Sequence, residues 1–323
     1  MWRKFIVVVT LLLCNYSMSL AQEPGLSLRL VNNPALSPDG QWLAFDWNGD
    51  IWLASSNGGP VKQLTTHPGR DRDPKFSPDG KTLAFISDRD NGNQVYLMPV
   101  EGGMPRQITF HTSGYSLLGW HPDGKHVITS ALRDHYWTGR GAERFFLIHT
   151  EKRTAEVSLF DDYGSNGCLS PDGKKLLFNR EGHQWWRKGY YGTQASQIWM
   201  YDLEKKEFTP VLLSEWDARW PLWNGEGTGF YYVGVPEGNA GKGAAANLWF
   251  MAGDGQRTQL TRFEQDNVVF PCISRDGKTI IFRHLFDLYK YTPGSEKTPE
   301  KISLTYSGDR PLAKTQRRTL SSA

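Results

Sequence analysis

The sequence predicts an all-β chain in which one four-strand unit recurs six times, and three observations carry that prediction. A four-residue turn recurs at near-regular intervals, and the segments after each turn repeat with it. Turn-formers are also abundant, with 33 Gly and 18 Pro in 323 residues. A composition of 39% hydrophobic, 13% aromatic and 22% charged residues excludes both a multispanning membrane chain and a disordered one.

The turn reads Ser37-Pro38-Asp39-Gly40, Ser77-Pro78-Asp79-Gly80, His121-Pro122-Asp123-Gly124, Ser170-Pro171-Asp172-Gly173 and Ser274-Arg275-Asp276-Gly277. Its Asp residues are 40, 44, 49 and 104 positions apart, and the degenerate Asn224-Gly225-Glu226-Gly227 sits midway in the last interval, completing six units. Pro presets φ near −65°, Asp bonds nearby backbone, and Gly accepts the positive φ that closes a hairpin.

A strand follows each turn: Gln41–Phe45, Lys81–Phe85, Lys125–Ile128, Lys174–Phe178, Gly229–Val233 and Lys278–Phe282. The next strand begins with a polar residue and continues apolar, aromatic, apolar: Asp50–Leu53, Gln94–Leu97, Arg144–Leu147, Gln197–Met200, Asn247–Phe250 and Asp287–Lys290, with Tyr289 as the last aromatic and Lys290 breaking the pattern. A fourth reads Lys62–Thr65, Arg106–Thr109, Glu156–Leu159, Thr209–Leu212, Thr258–Thr261 and Lys301–Leu304. The residues before each turn, from Pro34, Pro74, Gly119, Gly167, Pro221 and Pro271, supply the innermost strand.

Four short antiparallel strands cannot bury both faces alone, so the units must stack around an axis. The expected fold is a six-bladed β-propeller of four-stranded antiparallel blades over residues 22–306, with blades beginning near 34, 74, 119, 167, 221 and 271. The third-strand aromatics Trp52, Tyr96, Phe146, Trp199, Trp249 and Tyr289 then belong between blades. The outer strand of the last blade is either Ser27–Val31 or Lys301–Leu304, and ring closure by strand exchange or by packing stays open.

The chain begins with Arg3 and Lys4, an apolar run from Phe5 to Leu13, and Ser19-Leu20-Ala21 as a small-x-small site. These features predict a signal peptide cleaved after Ala21 and a periplasmic or secreted protein. Lipidation at Cys14 is the weaker alternative, because Leu11-Leu12-Leu13 lacks the small residues such a site prefers. Residues 1–21 carry two positive charges and 309–323 a net three, so the overall +3 leaves residues 22–308 at −2. That balance argues against a nucleic-acid partner, and no membrane association is expected after cleavage. Cys168 and Cys272 occupy equivalent places in non-adjacent units and are expected to be buried thiols, with a disulfide or a metal pair disfavoured.

These units, from Pro34 to Tyr306, resemble the TolB-like, PD40 class of propeller repeat. Arg180-Glu-Gly-His-Gln-Trp-Trp-Arg-Lys-Gly-Tyr190 running into Gln197–Leu203, together with Phe270–Lys278, Phe286–Tyr289 and Gly308-Asp-Arg-Pro311, resembles the first propeller of tricorn proteases and related S41-family serine peptidases. In that family this propeller precedes a second propeller, a PDZ-like domain and a catalytic domain that holds the nucleophilic Ser and its His. The resemblance implies a hydrolase acting in proteolysis whose catalytic residues lie outside this chain, with residues 307–323 as a basic connector to a further domain.

The chain's own residues agree. It contains no Gly-x-Ser-x-Gly elbow, no His-Glu-x-x-His, no phosphate loop and no Cys-x-x-Cys, so no catalytic residue, cofactor or metal ligand is assigned. His67 and His111 read as loop residues and His121 as a local cap. The turn carboxylates Asp39, Asp79, Asp123, Asp172 and Asp276 read as backbone caps, since chemistry needs a few asymmetric carboxylates and not one per blade.

The exception is a long insertion between the second and third strands of blade four, Glu181–Ser196, carrying Trp185, Trp186, Arg187, Lys188, Tyr190 and Tyr191. Exposed aromatics beside Arg are the composition of contact hot spots. These six are the candidate contacts to a peptide or to a partner protein domain. Arg133–Arg140 and Gly238–Ala246 are weaker candidates. The expected role is a non-catalytic propeller that docks on a peptidase body and guides or filters peptides. The alternative is a stand-alone TolB-like protein-binding module, and a propeller lactonase or lyase is disfavoured by the lack of convergent His and carboxylate ligands.

Overall fold

The computed structural model describes residues 26–90, 92–135, 141–182, 185–236 and 243–308. The signal segment and all but the first two residues of the connector lie outside them, as do parts of the three insertions. Every element among the described residues is a strand.

Six four-stranded antiparallel sheets form among the described residues, five from consecutive strands and the first with the short strand Gly59–Pro60 set aside between its third and fourth. Their inner strands are Asn32–Leu36, Asp71–Phe76, Ser116–Trp120, Ser165–Leu169, Ala218–Trp223 and Val268–Ile273. These touch one another in chain order, and the last touches the first, so the sheets surround an axis as in a β-propeller.

Alternation along each strand divides the core into six clusters, one at each junction. Ala44 and Ile51 of the first sheet meet Leu83 and Phe85 of the second, whereas their neighbours Leu43, Phe45 and Trp52 meet Ile281 and Leu288 of the sixth. Phe145, Leu176 and Phe178 join the third and fourth sheets. Of the predicted inter-blade aromatics, Trp52, Tyr96 and Phe146 are buried. Trp199, Trp249 and Tyr289 are half-buried and pack on the clusters from the rim.

Of the two outer strands weighed for the last blade, the structure uses the one at Lys301–Leu304, one residue earlier and shorter, and the Ser27–Val31 segment does not join that sheet. The outer strand of the sixth sheet is Glu300–Ile302. Leu26–Ser27 instead pairs antiparallel with Leu304–Tyr306, which runs parallel to Gly59–Pro60 in a separate three-stranded sheet. The approach is close: Gly58 has φ +92°, and a Cβ there would lie 2.6 Å from the Ser303 carbonyl oxygen. The segments just before the first sheet and just after the sixth are thus tied at one seam to Gly59–Pro60, in the connection between the first sheet's third and fourth strands.

The turns work as their composition requires. Ser77 Oγ donates to Asp79 Oδ1 at 2.6 Å and accepts from Thr82 N at 2.9 Å, while Lys81 N donates to the same carboxylate at 3.1 Å. The Ser77 hydroxyl, then the Lys81 amide, hold the Asp79 carboxyl below its usual range. Asp39, Asp172 and Asp276 repeat the arrangement.

Candidate functional site

Antiparallel order puts the Pro-Asp-Gly turns at one end of the ring and every connection from second to third strand at the other. The three insertions therefore leave from the same end, in consecutive sheets. In the third sheet the second and third strands run on as a ladder to His135 and Gly141, well past their predicted limits.

The six candidate contacts divide by environment. Trp185 is half-buried, its ring edge-on to Phe270 at 5.0 Å and to Trp186 at 5.6 Å. Lys188 Nζ bonds Asp266 Oδ1 at 2.8 Å and the Gln265 carbonyl at 3.0 Å, which pins the insertion to the loop entering the sixth sheet. Burial pushes the Asp266 carboxyl up, but Lys188 and the Asn267 amide outweigh it and hold the group below its ordinary value. Tyr190 is half-buried under the Arg187 guanidinium, 4.9 Å from its ring. Tyr191 bonds Glu215 and lies 5.9 Å from the Trp216 ring. Trp186 and Tyr191 remain 63% and 53% exposed, and Arg187 is exposed as well. One face of the insertion is anchored and the other is presented to solvent.

The inner strands beneath it carry a feature that sequence reading missed. Each has a register shift near its start, and in five the bulged residue has positive φ: Asn33, Asp73, Asn166, Trp220 and Phe270. The sequence pattern alone starts each strand at the Pro or Gly that follows. Pro has no N–H for the ladder, so it falls at a bulge inside the strand instead. Asn and Asp tolerate this backbone, but Trp and Phe seldom adopt it. The two bulky exceptions are the ones under the insertion, with Trp220 and Phe270 rings 5.7 Å apart.

Arg283 completes this layer. It is 8% exposed, its guanidinium lies over the rings of Phe270 at 5.0 Å and Trp185 at 5.8 Å, and Nη1 bonds Asn32 Oδ1. Burial pulls its pKa below the usual guanidinium value.

The Tricorn protease N-terminal beta propeller domain model matches residues 28–297. The chain belongs to the tricorn protease N-terminal β-propeller family. It is 25% identical over 281 residues to a tricorn protease homolog of Saccharolobus solfataricus, covering 82% of this chain and 23% of that protein. The crystal structure of the tricorn protease superposes with a TM-score of 0.68 at 21% identity, over 86% of this chain and 26% of that one. A putative TolB from Agrobacterium tumefaciens gives 0.60 at 20% identity, over 77% and 87%. The chain spans 48% or less of the first curated relatives it matches.

Within this tricorn-family propeller the remaining polar candidates serve the backbone. His67 Nδ1 accepts from Gly69 N at 2.9 Å, His111 Nδ1 from Ser113 N at 3.1 Å, and His121 Nδ1 from Asp123 N at 3.2 Å. Cys168 and Cys272 are free thiols on the inner strands of the fourth and sixth sheets. A larger cleft of about 830 Å³ lies between the second and third sheets at the turn end, lined by Met104, Arg106 and Trp120. Two of its charged groups are already engaged: Arg106 donates to the Thr150 carbonyl at 2.8 Å, and Asp123 bonds His126 at 2.8 Å.

Proposed function

We propose that the chain is a six-bladed propeller, residues 22–306, serving as the non-catalytic amino-terminal module of an exported tricorn-like serine peptidase. It docks on the peptidase body and guides or filters peptides, through the face of the insertion bearing Trp186, Arg187 and Tyr191. The observation that carries the reading is the split environment of that insertion. Its anchored side fixes the loop, while Trp186, Arg187 and Tyr191 keep large aromatic and cationic surface exposed to solvent. The family match and the six four-stranded sheets support the blade count and the module role. Export to the periplasm rests on the first 21 residues, and 307–323 is proposed as a connector.

Two measurements test this. Turnover of fluorogenic peptides by purified residues 22–323, abolished by a serine-directed inhibitor, would overturn the non-catalytic assignment. A reading frame running on past the codon for Ala323 into further domains supports the module, and a stop codon there favours a stand-alone TolB-like binding protein. That second reading draws on the putative TolB above, 87% of whose chain is covered by the superposition.

A further inference from the structure

Between the insertion and the sixth sheet lies a cavity of about 140 Å³, lined by Trp185, Trp186, Lys188, Asp266, Arg283 and Leu285 among others. A water occupies ~30 Å³ in the liquid, so the space suits a group of a few heavy atoms. Arg283 makes one hydrogen bond among the described residues, from Nη1 to Asn32, and its buried Nε has no partner. No described carboxylate lies within ion-pair distance of it, although Asp266 is on the same wall, engaged by Lys188. Aromatic rings cover the guanidinium, and Nη1 is used. Nη2 therefore keeps its donors unused among the described residues, and a guanidinium N–H is a charge-assisted donor suited to a carboxylate oxygen. Buried cations are normally paired, so an unpaired one lining a cavity is a group awaiting an anion.

We propose that this cavity is a carboxylate-binding site, in which the Arg283 guanidinium, through Nη2, receives a peptide carboxylate and Trp185 and Trp186 flank the carbon chain behind it. The proposal rests on the reading of the insertion as a contact surface and names what that surface takes. The carboxylate comes either from a chain terminus or from an acidic side chain.

Calorimetric titration of residues 22–323 with three acetylated tetrapeptides separates these sources. The peptides are Ala-Ala-Ala-Leu as the free acid, the same peptide amidated, and amidated Ala-Ala-Glu-Leu. At least tenfold tighter binding of the free acid than of its amide identifies a terminal carboxylate, and the same preference for the Glu peptide identifies a side chain. Arg283→Gln is expected to abolish the preference. Because Arg283 is buried, Trp186→Ala is the second variant, expected to weaken the preferred peptide several-fold with an unchanged melting temperature. Equal affinity for all three peptides, or binding of none, overturns the proposal. Docking fails on a different result, namely partner association that survives Trp186→Ala and Arg187→Ala.

Discussion

The Trp185 ring stands edge-on to the Phe270 ring, 5.0 Å away, so the insertion of the fourth sheet rests on the inner strand of the sixth. Phe270 is held in a left-handed backbone, with φ 53°. A bulky residue there costs on the order of 1–3 kcal/mol, and it persists only where the surroundings over-determine it. Trp185, Trp220 and Arg283 are those surroundings.

Trp185→Ala should therefore lower stability by about 1–2 kcal/mol, through lost packing on a half-buried ring. Trp186→Ala, at a ring 63% exposed, should change it by less than ~0.5 kcal/mol. Urea unfolding of the two variants checks the contrast. A large loss for Trp186→Ala would make the outer face structural and remove the case for docking.

A second expectation concerns the polar residue that opens the third strand. Thr109 Oγ1 accepts from Val95 N at 2.8 Å and donates to Gln94 Oε1 at 2.8 Å, with both side chains buried. Thr65 with Asp50 and Thr261 with Asn247 repeat the latch. Thr109→Val keeps the shape but leaves a buried amide and a buried side-chain acceptor without partners, so it should cost about 1–3 kcal/mol. In the double variant with Gln94→Leu the losses should be less than additive, and strict additivity would show that the two groups do not act together.

That latch also shows how far the sequence could be read. The polar residue before each apolar run and the Thr ending three of the outer strands were both visible, but nothing in one-dimensional spacing says that they meet. The turns were legible because Ser, Pro, Asp and Gly act within five residues of one another. The bulges were not, because the following Pro marks a strand break as readily as a strand start, and only the partner strand decides. The six insertion residues were found by length and composition. Their division into anchors and exposed groups depends on Asp266, Phe270 and Glu215, which lie far along the chain.

Cys168 and Cys272 should be inert in the folded protein. Burial raises both thiols above their ordinary range, Cys272 to about 12, so little thiolate is present at neutral pH. Ellman's reagent should react with both at least tenfold faster in denaturant than in native buffer. Fast native labelling at Cys272 would mean that the seam between the first and sixth sheets opens.

The last expectation concerns pH. Asp46 is 3% exposed at the end of the second strand of the first sheet, accepting from Asn33 Nδ2 at 2.8 Å and from Asp73 N at 3.2 Å. Burial first, then the Asp73 charge, raises its pKa from an ordinary 3.8 to about 6, against the lowering effect of those hydrogen bonds. The native state thus holds this proton more tightly than the unfolded chain does. Asp46 lowers stability as pH rises from about 4 to about 6, and its contribution is flat above that. A displacement of about 2 pH units corresponds to roughly 3 kcal/mol. Asp46→Asn keeps an oxygen that accepts both hydrogen bonds and removes the charge. At pH 8 the variant should be more stable than the wild-type chain by about 2–3 kcal/mol, and below pH 4 the two should coincide. The turn carboxylates, whose pKa values are lowered, drive wild type and variant in the opposite sense with pH. The difference between the two unfolding curves isolates Asp46, and a difference that does not change between pH 4 and 8 would show that this carboxylate titrates normally.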